Sequence, residues 1–144
     1  MLKNAFVVCG LAAALLFAGC GKDEETPDNT TTYTLTMKAA KASTGVTVYK
    51  QITYNDANGV KQTVTNQNQD FMVSFPIEPG YKISLSAVGS VSGATSVPSS
   101  LVSYRVEGPK GVICEQISSF ISGAGTDYSL TASFDKTFKG DTCE

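Results

Sequence analysis

The most reactive side chains in this sequence are four cysteines, at positions 9, 20, 114 and 143 of 144. A thiol becomes a nucleophile at neutral pH only beside a group that holds it ionised. The chain contains no His, so the commonest general base and the commonest metal ligand are both missing. Cysteine chemistry is therefore expected to be structural or post-translational. Ser133-Phe134-Asp135-Lys136 has the Ser-x-x-Lys spacing of an acyl-transfer pair, a chemistry that needs both side chains one helical turn apart on one face. The residues around it alternate apolar and polar, and strand geometry sends Ser133 and Lys136 to opposite faces. In Gly89-Ser-Val-Ser-Gly93, Val91 stands where a nucleophile elbow needs its serine. Asp56 and Asn58 offer oxygens to Ca²⁺, but such a site takes about six to eight ligands and the segment reads as a turn. Asp70, Glu78, Glu107 and Asp127 are too scattered to nominate an acid–base pair. The chain is not expected to be an enzyme, and no cofactor or metal is expected. Tyr49 is expected on the polar face of a strand, where its ring would be free to stack on a sugar or a partner's aromatic.

The N-terminal segment carries its own chemistry. Met-Leu-Lys-Asn brings one positive charge, and residues 5–19, AFVVCGLAAALLFAG, form an apolar run shorter than the roughly 20 residues a membrane span requires. Together they read as a signal-peptide helix over 1–19. Leu16-Phe17-Ala18-Gly19-Cys20 resembles the lipobox of bacterial lipoproteins, with Phe17 where that pattern usually has Leu. The resemblance implies cleavage before Cys20, a diacylglycerol on its sulfur and acylation of the freed amine. Each buried methylene contributes about 0.8 kcal/mol, so two or three chains give a stable membrane anchor where one does not. The alternative is an ordinary secretory leader with Cys20 as a spare thiol. Gly21-Lys22-Asp23-Glu24-Glu25 resembles the acidic surface-export signal of lipoproteins in the Bacteroidota, which implies an outer-membrane lipoprotein facing the cell surface. Without that resemblance it is a solvated charged linker. Residues 20–32 are thus expected to be a lipidated Cys and a flexible acidic tether with a reach of about 20 Å, followed by a folded domain over 33–144.

Loss of the leader removes only Lys3, leaving 10 basic and 13 acidic residues and a formal charge of −3. With no basic patch, nucleic acid is not an expected partner. With Cys9 in the leader and Cys20 taken by lipid, Cys114 and Cys143 remain. Outside the cytoplasm an even count favours a disulfide, whose loop of about 30 residues stabilises by roughly 3.5 kcal/mol on the chain-entropy model. Two unpaired thiols, with Cys114 buried, are the alternative.

The elements that must carry these residues follow from period-2 patterning. Tyr33, Leu35 and Met37 alternate with Thr34, Thr36 and Lys38. Val46, Val48, Ile52 and Tyr54 are assigned to one face of the next strand and Thr47, Tyr49, Gln51 and Thr53 to the other, with a bulge near Lys50. Asn55-Asp-Ala-Asn-Gly59 closes a hairpin onto 60–65. A polar loop over 66–70 precedes Phe71, Val73 and Phe75. Pro76 and Pro79-Gly80 mark a reversal before Ile83, Leu85 and Ala87. The Ser-rich stretch 86–100 reads as a long loop or weak hairpin. Val102, Tyr104 and Val106 face inward; a turn at 108–111, a mixed stretch over 112–121 and a last alternation of Tyr128, Leu130, Ala132 and Phe134 complete the chain. Strands spaced by turn signals every ~8–12 residues predict an all-β, antiparallel two-sheet β-sandwich of immunoglobulin-like kind with seven to eight strands, a barrel being the alternative. It is not an antibody-type domain, since the chain has no Trp and neither Cys114 nor Cys143 follows a Tyr by two residues.

Ile52-Thr-Tyr-Asn-Asp-Ala-Asn-Gly59, Phe75-Pro76, the Gly80 turn, Ser84-Leu-Ser-Ala87 and Val102-Ser-Tyr-Arg-Val106 with Gly111-Val-Ile113 resemble the strand motifs of small MmpS-like β-sandwich domains over residues 33–135. The Trp often found near that family's central Pro is absent. The resemblance implies an immunoglobulin-like sandwich and an accessory role beside an envelope exporter. Read from its own residues, the chain is expected to be a lipid-anchored binding module with an envelope protein or glycan partner. Its recognition surface is expected on the loops at 86–100 and 66–70.

Overall fold

A computed structural model describes residues 31–118 and 121–144. The expected signal peptide, Cys20 and most of the expected tether lie outside the described residues. Nine strands occur in the order β1 (Tyr33–Ala39), β2 (Val46–Asn55), β3 (Lys61–Gln67), β4 (Phe71–Ile77), β5 (Lys82–Ser92), β6 (Val102–Gly108), β7 (Gly111–Ser118), β8 (Ile121–Ala124) and β9 (Asp127–Thr137). They form two antiparallel sheets, β4-β1-β6-β7 and β3-β2-β5-β9-β8, which is the expected sandwich. The one strand beyond the expected seven to eight arises because the mixed stretch 112–121 divides into β7 and the start of β8. The order is not the ABED/CFG arrangement of antibody domains.

The inner faces meet through the residues whose alternation is visible in the sequence. Leu35, Met37, Tyr104 and Val106 come from one sheet, and Ile52, Ile83, Leu85, Leu130 and Phe134 from the other, all buried. Full burial of each such side chain is worth about 1.5–3 kcal/mol. Aromatic pairs stitch the layers together in place of a tryptophan. Tyr104 packs edge-on to Phe134 at 5.4 Å, Tyr54 meets Phe71 at 5.2 Å, Phe75 meets Tyr81 at 6.0 Å and Tyr33 meets Phe138 at 4.9 Å. Each pair takes one ring from either sheet or its flanking residues.

Strand β2 corrects two expectations. Its register against β5 shifts between Tyr49 and Gln51, so Lys50 is the extra residue of a bulge. One extra residue reverses the parity of everything before it. Thr47 and Tyr49 therefore share the inward face with Ile52, and Val46 is 63% exposed. The inward assignment of Val46 and Val48 and the outward assignment of Thr47 and Tyr49 are thus corrected, because parity cannot be carried straight through a bulge. Three boundaries also move. Asn66 and Gln67 end β3, Ser86–Ser92 complete β5, and Pro76 lies within β4, where an edge position makes its missing N–H harmless. The reversal sits at Pro79-Gly80, with Gly80 at φ 97°.

The fold has two distinct ends. Tyr33 opens β1 at what is here the near end, together with the β2–β3 turn, the β4–β5 turn, the β6–β7 turn and the C-terminal residues 138–144. Strand pairing places segments 40–45, 68–70, 93–101 and 125–126 at the far end.

Candidate functional site

The far end gathers the two loops singled out from composition, trimmed to 68–70 and 93–101. What joins them is segment 40–45, which carries no sequence signal of its own beyond its small polar residues. The Lys41 backbone N–H donates to Asp70 Oδ1 at 2.7 Å, tying 40–45 to the β3–β4 loop. Ser43 N donates to Ser99 O at 2.9 Å, Ser99 N returns a bond to Ser43 Oγ at 3.0 Å, and Ala40 N donates to Leu101 O at 2.9 Å. Thr44 Oγ1 reaches Ser96 O at 3.3 Å.

Beneath this cluster lies a buried hydroxyl node. Tyr49 is fully buried and Ser100 is 2% exposed. The Tyr49 hydroxyl lies 2.5 Å from the Ala40 carbonyl and 2.9 Å from Ser100 Oγ, and Ser100 Oγ lies 2.8 Å from the same carbonyl. Two protons are shared over three short contacts, so the Ala40 carbonyl is satisfied whichever way each hydroxyl turns. Burial pushes the Tyr49 phenol above its ordinary pKa, the Ser100 bond opposes that rise, and the Asp70 charge adds to it. Tyr49 thus cannot stack on a ligand. It is the post on which the far-end loops are mounted. Thr47 Oγ1 adds a bond from the Ala42 N–H at 2.8 Å.

The surface held in this way combines hydroxyls with aliphatic side chains. Val97 is 77%, Val46 63% and Leu101 48% exposed, beside Ser43, Thr44 and Ser96. This chemistry suits contact with a mixed apolar and hydrogen-bonding surface.

At the near end, a groove of about 940 Å³ runs between the β2–β3 and β4–β5 turns, with Thr32, Asn58, Pro79, Tyr81 and Lys82 in its walls. Asp56 builds the first turn. Its Oδ1 accepts from Asn58 N at 2.9 Å and Val60 N at 3.0 Å, and its Oδ2 accepts from Gln62 Nε2 at 2.7 Å. The Gln62 bond, with the two backbone bonds, holds the Asp56 carboxyl below its ordinary pKa. The turn assignment for Asp56 and Asn58 therefore stands. Tyr81 anchors the second turn, its one proton lying within reach of Asn55 O at 2.8 Å and Asp56 O at 2.7 Å. Burial, then the Asp56 charge, push its pKa up to about 12.

Cys114 and Cys143 form the expected disulfide. It joins β7 of one sheet to the C-terminal residues, which fold back on the end of β9 through paired Thr137–Glu144 backbone bonds of 2.6 and 3.0 Å. The bridge therefore ties sheet to sheet. Ser133 is exposed on β9 while Lys136 lies on the opposite parity, and Val91 is fully buried. Among the described residues no group of three or more Cys, Asp or Glu side chains is placed to hold a metal ion.

No protein-family model matches the chain, and neither a curated protein nor a solved structure matches it.

Proposed function

We propose that the protein is an envelope lipoprotein, anchored through lipid on Cys20, that works as a non-catalytic binding module and presents its far-end loops to an envelope partner. The observation that carries this reading is the polarity of the fold. The chain enters at Tyr33 on the near end, while segments 40–45, 68–70 and 93–101 are bonded to one another on the opposite end. An anchor upstream of Tyr33 then holds the near end toward the membrane and the loop cluster away from it, separated by strands of up to 11 residues, or about 35 Å. Rigid strands presenting adaptable loops are the usual arrangement of a recognition domain.

The test joins both halves of the claim. Metabolic labelling with a fatty-acid analogue is expected to mark the wild type and not Cys20→Ala. Crosslinking on intact cells is expected to recover a defined envelope partner with the wild type and to lose it with the pair Val97→Ser and Leu101→Ser. Both side chains are exposed, so the fold is preserved. Equal labelling of wild type and Cys20→Ala would refute the anchor, and unchanged crosslinking by the pair variant would move the site off the far end.

A further inference from the structure

We infer that the outer edge of β7 is a docking edge for an extended segment of a partner protein, which adds to the four-stranded sheet beside β7 and places a cationic side chain opposite Glu115. This edge lies on the flank of the sandwich and does not depend on the far-end reading.

The sandwich has four edge strands, β4 and β7 in one sheet and β3 and β8 in the other. An exposed edge carries backbone N–H and C=O groups ready to pair with any extended chain, and folded proteins blunt such edges with proline, bulges, charge or short length. Three of the four edges here are blunted. Pro76 removes a donor from β4. Strand β8 has only four residues. Strand β3 starts on the charged Lys61 and takes the left-handed Asn66, at φ 53°, into the last part of its ladder, which bends the edge there.

Strand β7 is eight residues long and carries no proline. Its one irregularity, where Ile113 is extra opposite the Val106–Glu107 step, lies in its near half. Among the described residues, no backbone hydrogen bond outside the β6 ladder involves Gly111–Ser118. The strand also shows apolar surface to solvent, with Val112 48% and Ile117 55% exposed. An alternating row of backbone donors and acceptors is complementary only to another extended backbone, which defines the class of occupant.

Charge narrows it further. Glu115 sits directly opposite Arg105 on β6, but Arg105 Nη2 is bonded along its own strand to Glu107 Oε1 at 2.6 Å. Glu115 has no ion pair among the described residues, and it is the one charged residue of β7. Two-fold pairing of β7 with a second copy of itself would set Glu115 against Glu115, or one step over against Ile117. The first register opposes like charges, which is unfavourable, and the second leaves each Glu115 facing an aliphatic side chain with no cation to meet it. A partner strand reading apolar-x-Lys-x-apolar meets Glu115 with its cation and Ile117 with an aliphatic side chain.

The test uses residues 20–144 carrying Cys20→Ser, isotopically labelled, titrated to millimolar concentration with the capped peptide Thr-Val-Thr-Lys-Thr-Val-Thr and with its analogue bearing Glu in place of Lys. Amide signals of β7 and its β6 partners are expected to shift while those of β3, β4 and β8 stay in place. The Lys peptide is expected to bind more tightly than the Glu peptide by roughly two- to fivefold, the scale of a cross-strand charge pair. Glu115→Lys, on an exposed position, is expected to invert that order. Shifts at another edge, no shift at millimolar peptide, or an order unchanged in Glu115→Lys would overturn the inference. So would a dimer without peptide whose β7 amides resist exchange, since the occupant would then be a second copy.

Discussion

At the residue scale, chemistry in this protein is carried by hydroxyls that hold backbone in place. Tyr49 and Ser100 share the Ala40 carbonyl, so removing one leaves the other to satisfy it. Tyr49→Phe is expected to cost about 1 kcal/mol in a denaturant titration, and adding Ser100→Ala to cost more than the sum of the singles, because the carbonyl is then buried without a partner. Tyr81 gives a pH dependence of definite sign. Its folded pKa of about 12 lies above the ~10 of an unfolded tyrosine, so the unfolded chain loses the proton first. The stabilisation is complete below pH ~10 and is lost as pH rises through about 12. Tyr81→Phe is expected to flatten the fall of thermal midpoint across that window. A curve as steep as that of the wild type would show that other groups cause it.

At the scale of elements, the turn at 55–59 and the strands around Leu35, Leu85, Val106 and Leu130 were legible because alternation and turn chemistry are local properties. Strand β2 was legible only in part. The charged residue at position 50 signalled a bulge, but reading parity straight through it left Val46 inside and Tyr49 outside, the reverse of what is found. In the sequence Gly89 belongs only to a pattern that lacks its nucleophile. It lies opposite Tyr49 on β5, and a Cβ there would stand 2.7 Å from Val48 O and 3.3 Å from the Tyr49 ring. The missing side chain is the space that the inward tyrosine occupies. Gly89→Ala is expected to destabilise by about 1–3 kcal/mol, as overpacking does, measured by urea unfolding. A neutral result would mean that the bulge relaxes to admit the methyl group.

At the scale of the molecule, the Cys114–Cys143 bridge closes a 29-residue separation and links opposite sheets. Phe138, fully buried against Tyr33, depends on the tail that the bridge retains. Cys143→Ser is expected to lower stability by about 3.5 kcal/mol and to expose the tail to carboxypeptidase, while the far-end loops keep their exchange protection. Loss of protection at both ends would show that the sandwich unfolds as one unit without its bridge.

The class of fold, most strand cores, most turn positions and the cysteine pair can be read from the chain alone, since each follows from residues near one another or from a count. The tertiary structure alone decided the inward face of Thr47 and Tyr49, the order of strands within each sheet and the meeting of segments 40–45, 68–70 and 93–101. These contacts join residues 29 to 61 positions apart. Nothing in a local pattern distinguishes one such partner from another. The choice is made collectively, by burying two inner faces at once while leaving no buried polar side-chain atom unpaired among the described residues.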